Sequence, residues 1–453
     1  MSWPVSQDYN EAVQDPGASF GDPDLRAAEP VTNALGLPLP CSGNFADVYH
    51  LRQPATAASW AVKCFTRSVP GRQERYHEIS RHLRRARLPF TIDFAYLEDG
   101  IRVHGRWYPV VKMQWVEGVL LNQFVRDYLR QPALLEGLIG LWMRMARRLR
   151  EAEVAHGDLQ HGNVLLVPGS KTTSLALKLI DYDGLFVPAL AGRPAGEVGH
   201  PAYQHPQRLR EGTCGPEVDR VPLLVIATAL RCLVSAGPPL WERYDNGDNL
   251  LFREADLRSP GASALFRELW SLPDPLSHML VARLALACQD PIDQAPPVTD
   301  LLAEDLLPVL GAEQKARAEA LLGSAGVSVA AAAPPAEPSP GDRFDFEEAG
   351  PARRRRRRVA WGVVIAWVWV GFVTLALAVT LPLVWYTAPQ PADSGNTAGA
   401  HDPAGAAVKD KKKGTGGTGG DSHRGHAPTG QAKPPATGKE SEPMPGDRDP
   451  PTR

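Results

Sequence analysis

Cysteine is scarce in this chain of 453 residues: there are five, Cys41, Cys64, Cys214, Cys232 and Cys288, with no CxxC pair among them. An odd, scattered set of that kind excludes a disulfide framework and a zinc site of ordinary spacing, and it fits a reducing compartment. Also missing is an excess of either charge. Against 51 Asp and Glu stand 49 Lys and Arg, a formal net charge of −2. A nucleic-acid-binding domain normally carries a clear positive excess, so no nucleic-acid partner is expected. Glycine keeps no three-residue period, which excludes a collagen-like chain. Residues 1–20 hold three acidic side chains and no apolar run, so no secretory leader is expected there.

What is present is unevenly placed. Glycine and proline, 41 and 43 residues, crowd after about position 325. Between Val359 and Tyr386 run twenty-eight residues without one charge, where about twenty suffice to cross a hydrocarbon core. That run predicts one transmembrane helix in a lipid bilayer, with Trp361, Trp385 and Tyr386 near its ends as interfacial anchors. Arg353 to Arg358, six arginines in a row, stand immediately before it. Such a block is retained on the cytoplasmic side, which predicts a single-pass membrane protein with its N-terminal part cytoplasmic and its C-terminal tail extracytoplasmic. The predicted division is an N-terminal extension over 1–30, a globular domain over 31–322, a disordered linker ending in the arginine block over 323–358, the span over 359–386, and a disordered tail over 387–453. Linker and tail are too poor in large apolar residues to offset chain entropy. The sequence carries no signal for oligomeric state.

Within the globular part, the first third alternates β-like runs, ADVYHL, SWAVKCF, FTIDFAYL, IRVHGRWY and PVVKMQWV, with one helical stretch from Arg72 to Arg87. Later segments show apolar residues at helical spacing: Pro132 to Ala155, Val221 to Val234 and Pro275 to Cys288. A small strand-rich lobe followed by a larger helical one is expected.

The residues that can carry chemistry lie at their junction. His156-Gly157-Asp158-Leu159-Gln160-His161-Gly162-Asn163 is followed, after a polar excursion, by the apolar run Leu177-Lys178-Leu179-Ile180 and then Asp181-Tyr182-Asp183-Gly184. An Asp, an Asn five residues on and a second Asp closing a strand suit phosphoryl transfer. One carboxylate can take the proton of an attacking hydroxyl, while Asn and Asp offer hard oxygen ligands to magnesium on nucleotide phosphates.

On these motifs, residues 36 to about 290 resemble the protein-kinase superfamily. Its catalytic loop reads H-R-D-x-x-x-x-N where this chain has HGDLQHGN, and its metal motif D-F-G stands where this chain has Asp181-Tyr182-Asp183. The resemblance implies an α+β, two-lobed protein kinase-like fold, with a small β-rich N-lobe and a larger helical C-lobe. It implies that Lys63, in Trp60-Ala61-Val62-Lys63, holds the α- and β-phosphates of ATP. Its implied partner is a helical glutamate, Glu78, with Glu74 one turn earlier as the fallback. Asp158 is implied as the catalytic base, and Asn163 and Asp181 as the ligands of Mg²⁺. Gly43, Phe45, Val48 and Ala61 would cover the nucleotide, and Met113, Gln114 and Val116 would receive adenine at the hinge. Gly199-His200-Pro201-Ala202-Tyr203-Gln204-His205-Pro206-Gln207 resembles the end of the activation segment, and Asp219 the buried aspartate that opens the central helix.

Four positions depart from the family pattern. The glycine-rich loop keeps only Gly43. Gly157 replaces an arginine that pairs with phosphorylated activation segments, Gln160 replaces a phosphate-contacting lysine, and Asp183 replaces the last glycine of D-F-G. The expected function is an ATP-dependent Ser/Thr protein kinase acting on protein substrates at the cytosolic face of a membrane. Two alternatives stand beside it: a small-molecule or lipid kinase of the same superfamily, and an ATP-binding pseudokinase scaffold.

Overall fold

Three short helices open the chain: α1 (Ser6–Val13), α2 (Pro16–Ser19) and α3 (Pro23–Arg26). Asp15 and Asp22 cap α2 and α3, accepting backbone N–H bonds ahead of a proline at the first helical position. The antiparallel sheet that follows contains β1 (Glu29–Pro30), β2 (Cys41–Ser42), β3 (Ala46–Arg52) and β4 (Ser59–Phe65). After α4 (Arg72–Ala86) it is completed by β5 (Phe94–Val103) and β6 (Arg106–Gln114). Strand order is β1-β3-β4-β6-β5, with β2 on β3. The structure, a computed structural model, describes residues 3–43, 45–169, 174–302, 310–323 and 345–346, all within one compact unit, Met1–Arg357.

The predicted extension over 1–30 is built into this sheet. Tyr9, Val13, Phe20 and Leu25 are buried against Tyr49, Leu51, Val62, Ile101 and Val110. Tyr9 donates its hydroxyl to the Phe65 carbonyl at 2.6 Å, and Lys112 bridges Asp22 and Asp24 at 2.6 and 2.7 Å. No packing boundary follows residue 30. A second difference concerns IRVHGRWY, which is the turn of a hairpin and not a strand of its own. His104 and Gly105 both have positive φ, 49° and 80°, the conformation of a two-residue turn that matches strand twist.

The larger lobe begins with β7 (Val119–Leu120), α5 (Leu121–Tyr128) and α6 (Pro132–Glu151), then the hairpin β8 (Val164–Pro168) and β9 (Ser174–Leu179). It continues through α7 (Pro206–Glu211), α8 (Arg220–Ala236), α9 (Pro238–Tyr244), α10 (Glu254–Arg258), α11 (Ala264–Trp270), α12 (Pro275–Ala287), α13 (Val298–Leu301) and α14 (Ala312–Leu322). Helix α8 is buried around most of its circumference, from Val221 to Leu233, as its nearly unbroken apolar sequence requires. It packs on α6, where the buried Trp142 indole donates to the Leu223 carbonyl at 3.1 Å.

Within the predicted linker, β10 (Asp345–Phe346) pairs in parallel with β9, Asp345 opposite Ser174 and Phe346 opposite Leu175. The run expected to span a membrane, 359–386, and the tail after it lie outside the described residues. Among the described residues no helix is long and apolar enough to cross a membrane.

Candidate active site

The segment 156–163 is fixed by a buried carboxylate from α8's start. Asp219 accepts the backbone N–H of His156 and, at 2.9 Å, that of Gly157. Burial raises the Asp219 pKa above the usual carboxylate range even against these two amides. Gly157 has φ 78°, and a Cβ there would collide with the Gly184 carbonyl. The arginine of the family pattern is therefore excluded by close backbone approach. Gln160 turns its side chain back, accepting from the Gly162 N–H at 3.0 Å, so it caps a turn rather than reaching outward.

Asp158 sits at the centre of this loop, largely buried. Its Oδ1 accepts the His200 N–H at 2.7 Å and its Oδ2 the Asn163 Nδ2–H at 2.8 Å. The Asn163 amide nitrogen also donates to the Asp158 carbonyl at 2.9 Å, which leaves its Oδ1 as the remaining acceptor. The Ile180 N–H donates to the Asn163 carbonyl at 3.0 Å, and that bond joins the loop to the end of β9.

Asp181 follows with a left-handed backbone, φ 64°. Lys63, on β4, places Nζ 2.7 Å from Asp181 Oδ1 and 2.7 Å from Asp183 Oδ2. Burial alone would lower the lysine's pKa, but the two carboxylates outweigh it and raise it. Asp181 is correspondingly held below its ordinary value by Lys63 in spite of burial. Between the two aspartates, Tyr182 turns inward and stacks edge-on between His156 and Phe94, with ring centroids 6.1 and 5.4 Å away. Its hydroxyl donates to the Leu179 carbonyl at 2.9 Å and accepts the Ile92 N–H at 2.7 Å.

The structure does not bring Glu78 to Lys63. Helix α4 turns Arg72, Tyr76, Ile79 and Leu83 inward, and Glu78 lies two residues, ~200° of rotation, from Tyr76. Glu78 pairs instead with Arg81, and the fallback Glu74 pairs with the exposed Arg193 at 2.8 Å. The inward place belongs to Tyr76, whose hydroxyl donates to Asp183 Oδ1. Sequence reasoning marked Asp183 only as a departure and passed over Tyr76, although Tyr76, Ile79 and Leu83 are the apolar residues at helical spacing in that stretch.

Two further residues were missed. Glu197 stands near Asp158, Asp181 and Asp183; burial first, and then those three carboxylates, push it up to about 8. Arg208, wholly buried, donates to the Gly157 carbonyl at 2.7 Å and to Gln204 Oε1 at 2.6 Å. It thus ties α7 to the 156–163 loop. Neither residue belongs to a short motif, and only the fold brings them in.

The residues expected to cover a nucleotide lie on and around β3 and β4. Val48 pairs in register with Lys63, and Ala61 with Met113. Gly43 donates its N–H to the Ala46 carbonyl at 2.9 Å, closing the turn in which Phe45 lies beneath the Arg67 guanidinium, 3.4 Å from the ring centre. The hinge follows β6: Gln114 donates its N–H to the Asp93 carbonyl and Trp115 to the Ser59 carbonyl, while the Trp115 ring stacks on His50 at 3.8 Å. Val116, Leu120 and Ile180 pack against Leu165, Val167 and Ala176. The register thus sets Val48, Ala61, Lys63 and Met113 on one face of the sheet, with Gly43 and Phe45 in the turn before β3 and Gln114 and Val116 at and just after the end of β6.

Magnesium fits the donors of this site. Asn163 keeps its Oδ1 apart from the two bonds its amide nitrogen donates, and Glu197 Oε1 is buried and, among the described residues, without a hydrogen-bond partner. Among the described residues, no three acidic, histidine or cysteine side chains converge at ligand distance.

No family model and no curated protein matches this chain. Among solved structures it is similar to the kinase domain of Mycobacterium tuberculosis PknI, at 18% identity over 60% of this chain and 90% of that one, with a TM-score of 0.34. A cysteine-to-alanine mutant of the same domain gives 17% identity over 64% and 97%, with a TM-score of 0.38.

Proposed function

We propose that residues 31–322, together with the N-terminal helices packed on them, transfer the γ-phosphate of ATP to a Ser or Thr hydroxyl of a protein. In this reading the apolar run 359–386 holds the domain at the cytosolic face of a membrane. One observation carries the reading most: residues 118 positions apart, Lys63 and Asp181, are joined at 2.7 Å, next to a loop in which Asp158 and Asn163 are joined at 2.8 Å. The Asp158 carboxylate oxygens each hold one hydrogen bond and keep a further lone pair, so either can accept a substrate hydroxyl and orient it. Lys63 would exchange its carboxylate contacts for phosphate oxygens. Asn163 and Asp181 would hold Mg²⁺, which when bound neutralises charge on the phosphates. The Gly199–Gln207 segment, whose His200 N–H rests on Asp158, favours a protein substrate over a small molecule because it borders the hydroxyl's approach.

The test is transfer of labelled phosphate from Mg·ATP to the chain itself or to a generic protein. Asp158→Ala should abolish it, and equal labelling by that variant would refute the reading. A second reading, nucleotide binding without turnover, draws on the double carboxylate clamp over Lys63. It predicts thermal stabilisation by Mg·ATP with no labelled product from the unaltered chain.

A further inference from the structure

Beside Asp181, the lysine and helix contacts here are made by groups that neither the sequence pattern nor the proposed reaction assigns. Asp183 divides its carboxylate: Oδ2 takes Lys63 Nζ at 2.7 Å, and Oδ1 takes the Tyr76 hydroxyl. The same residue's carbonyl accepts from Arg75 Nε at 3.0 Å, and Leu185's from an Arg75 terminal nitrogen at 2.7 Å. Two successive residues of α4 are therefore fastened by their side chains to the segment after β9, Arg75 to its backbone carbonyls and Tyr76 to the Asp183 carboxylate. Tyr76 is itself held. Its ring, 2% exposed, packs with Phe65, Phe94 and Tyr96 at centroid distances of 6.3, 5.6 and 5.6 Å.

We propose that Asp183 is the carboxylate that positions Lys63, and that Tyr76 anchors Asp183 to α4, so that the lysine's placement depends on a hydroxyl from the helix and not on an acid. The two changes are complementary. Where α4 carries a hydroxyl at its inward position, it cannot neutralise an ammonium, and the acid supplied two residues after Asp181 does so. A glycine at 183 would leave Lys63 with Asp181 alone, the group needed for magnesium. Asp183 thereby frees Asp181 to exchange its lysine contact for a metal. A rotation of α4 that swings Glu78 inward is not required to complete the site, because Glu78 is committed to Arg81. Both are positioning residues; neither is placed to touch the reacting atoms.

This inference rests on the phosphotransferase reading for its consequence but not for its geometry, and the experiment separates the two. In the full chain, a double-mutant cycle on the unfolding midpoint pairs Lys63→Met with Asp183→Asn, and Lys63→Met with Glu78→Gln. The expected result is that the first pair shifts the midpoint by less than the sum of its single shifts, because Lys63→Met leaves the Asp183 carboxylate without its cation and Asp183→Asn removes one of the lysine's two carboxylates, while the second pair adds. Additivity at 63 and 183, or coupling at 63 and 78, would overturn the proposal whether or not the chain turns over ATP. With turnover measured, Asp183→Asn should lower kcat/KM for ATP by about 100-fold, and Tyr76→Phe by less. Transferring the acid to the helix, Tyr76→Glu with Asp183→Gly, should recover about tenfold over Asp183→Gly alone. No recovery, with the coupling at 63 and 183 also absent, identifies Asp183 as packing only. Coupling present in a chain that labels nothing would retire the kinase reading and leave the Lys63 arrangement standing.

Discussion

The floor of the cleft and its inner wall keep to their expected pattern to different degrees. On the floor, the three residues that the resemblance singled out, Asp219, Asp158 and Asn163, are held mostly by backbone N–H and C=O groups. On the inner wall, Lys63 keeps its place while its carboxylate has moved from α4 to residue 183. A loop clamped by main-chain hydrogen bonds has few alternatives, since replacing one side chain strands a buried amide. A contact made between two side-chain tips is more easily reassigned, because any group that reaches the same point with the same charge will serve.

The sharpest way to break that comparison is on the floor. Asp219→Ala leaves the His156 and Gly157 N–H groups buried without an acceptor, and should cost about 3 kcal/mol. Denaturant unfolding checks it, and a loss no larger than that at a surface aspartate such as Asp127 would show that water substitutes freely. Next comes Glu197. Its folded pKa of about 8 lies above its unfolded value, so the folded state holds the proton longer. Stability is therefore unpenalised below the unfolded pKa, falls as pH rises from there to about 8, and levels off above it. Glu197→Gln removes that fall and should gain on the order of 2 kcal/mol at pH 9, and almost nothing at pH 4. Parallel melting curves of the two proteins across that range would refute it. On the inner wall, Tyr76→Phe removes one hydroxyl from a buried acceptor that keeps Lys63, and should cost about 1 kcal/mol by the same measurement. The smallest effect is expected at Glu78→Gln, within ~0.5 kcal/mol, because its partner Arg81 is solvated. A larger loss there would restore the glutamate to importance and collapse the distinction between wall and floor.

How much of this could be read beforehand depends on the range of the interactions. SWAVKCF is β4 residue for residue, and the helices around Arg72, Pro132, Val221 and Pro275 fall within a few positions of their apolar periodicity. The loop motif likewise announced Asp158, Asn163 and Asp181. Glu78 was misplaced because chemical type was weighed above helical phase: Tyr76, Ile79 and Leu83 already marked the inward stripe. The hairpin at His104-Gly105 was hidden by β-branched and aromatic residues on both sides, which made one run of two strands. Residues 1–30 read as an appendage because their apolar residues are single and well separated, and each finds its partner on a strand formed later in the chain. Glu197 and Arg208 had no local signal at all, since their environment exists only once α7 folds back onto the catalytic loop.

Tyr182 has one more consequence. A phenylalanine in that place could leave its slot between His156 and Phe94 at the expense of apolar contact alone. Here the departing ring must also give up two buried hydrogen bonds, to Leu179 and Ile92, at about 1 kcal/mol each. That depletes any ring-out conformer by roughly 10–30-fold. Inhibitors that work by occupying the vacated slot should bind this protein poorly, whereas compounds confined to the adenine side should bind it undiminished. Tyr182→Phe should restore sensitivity to the first kind alone, and an unchanged inhibitor profile in that variant would show that the hydroxyl is no bolt.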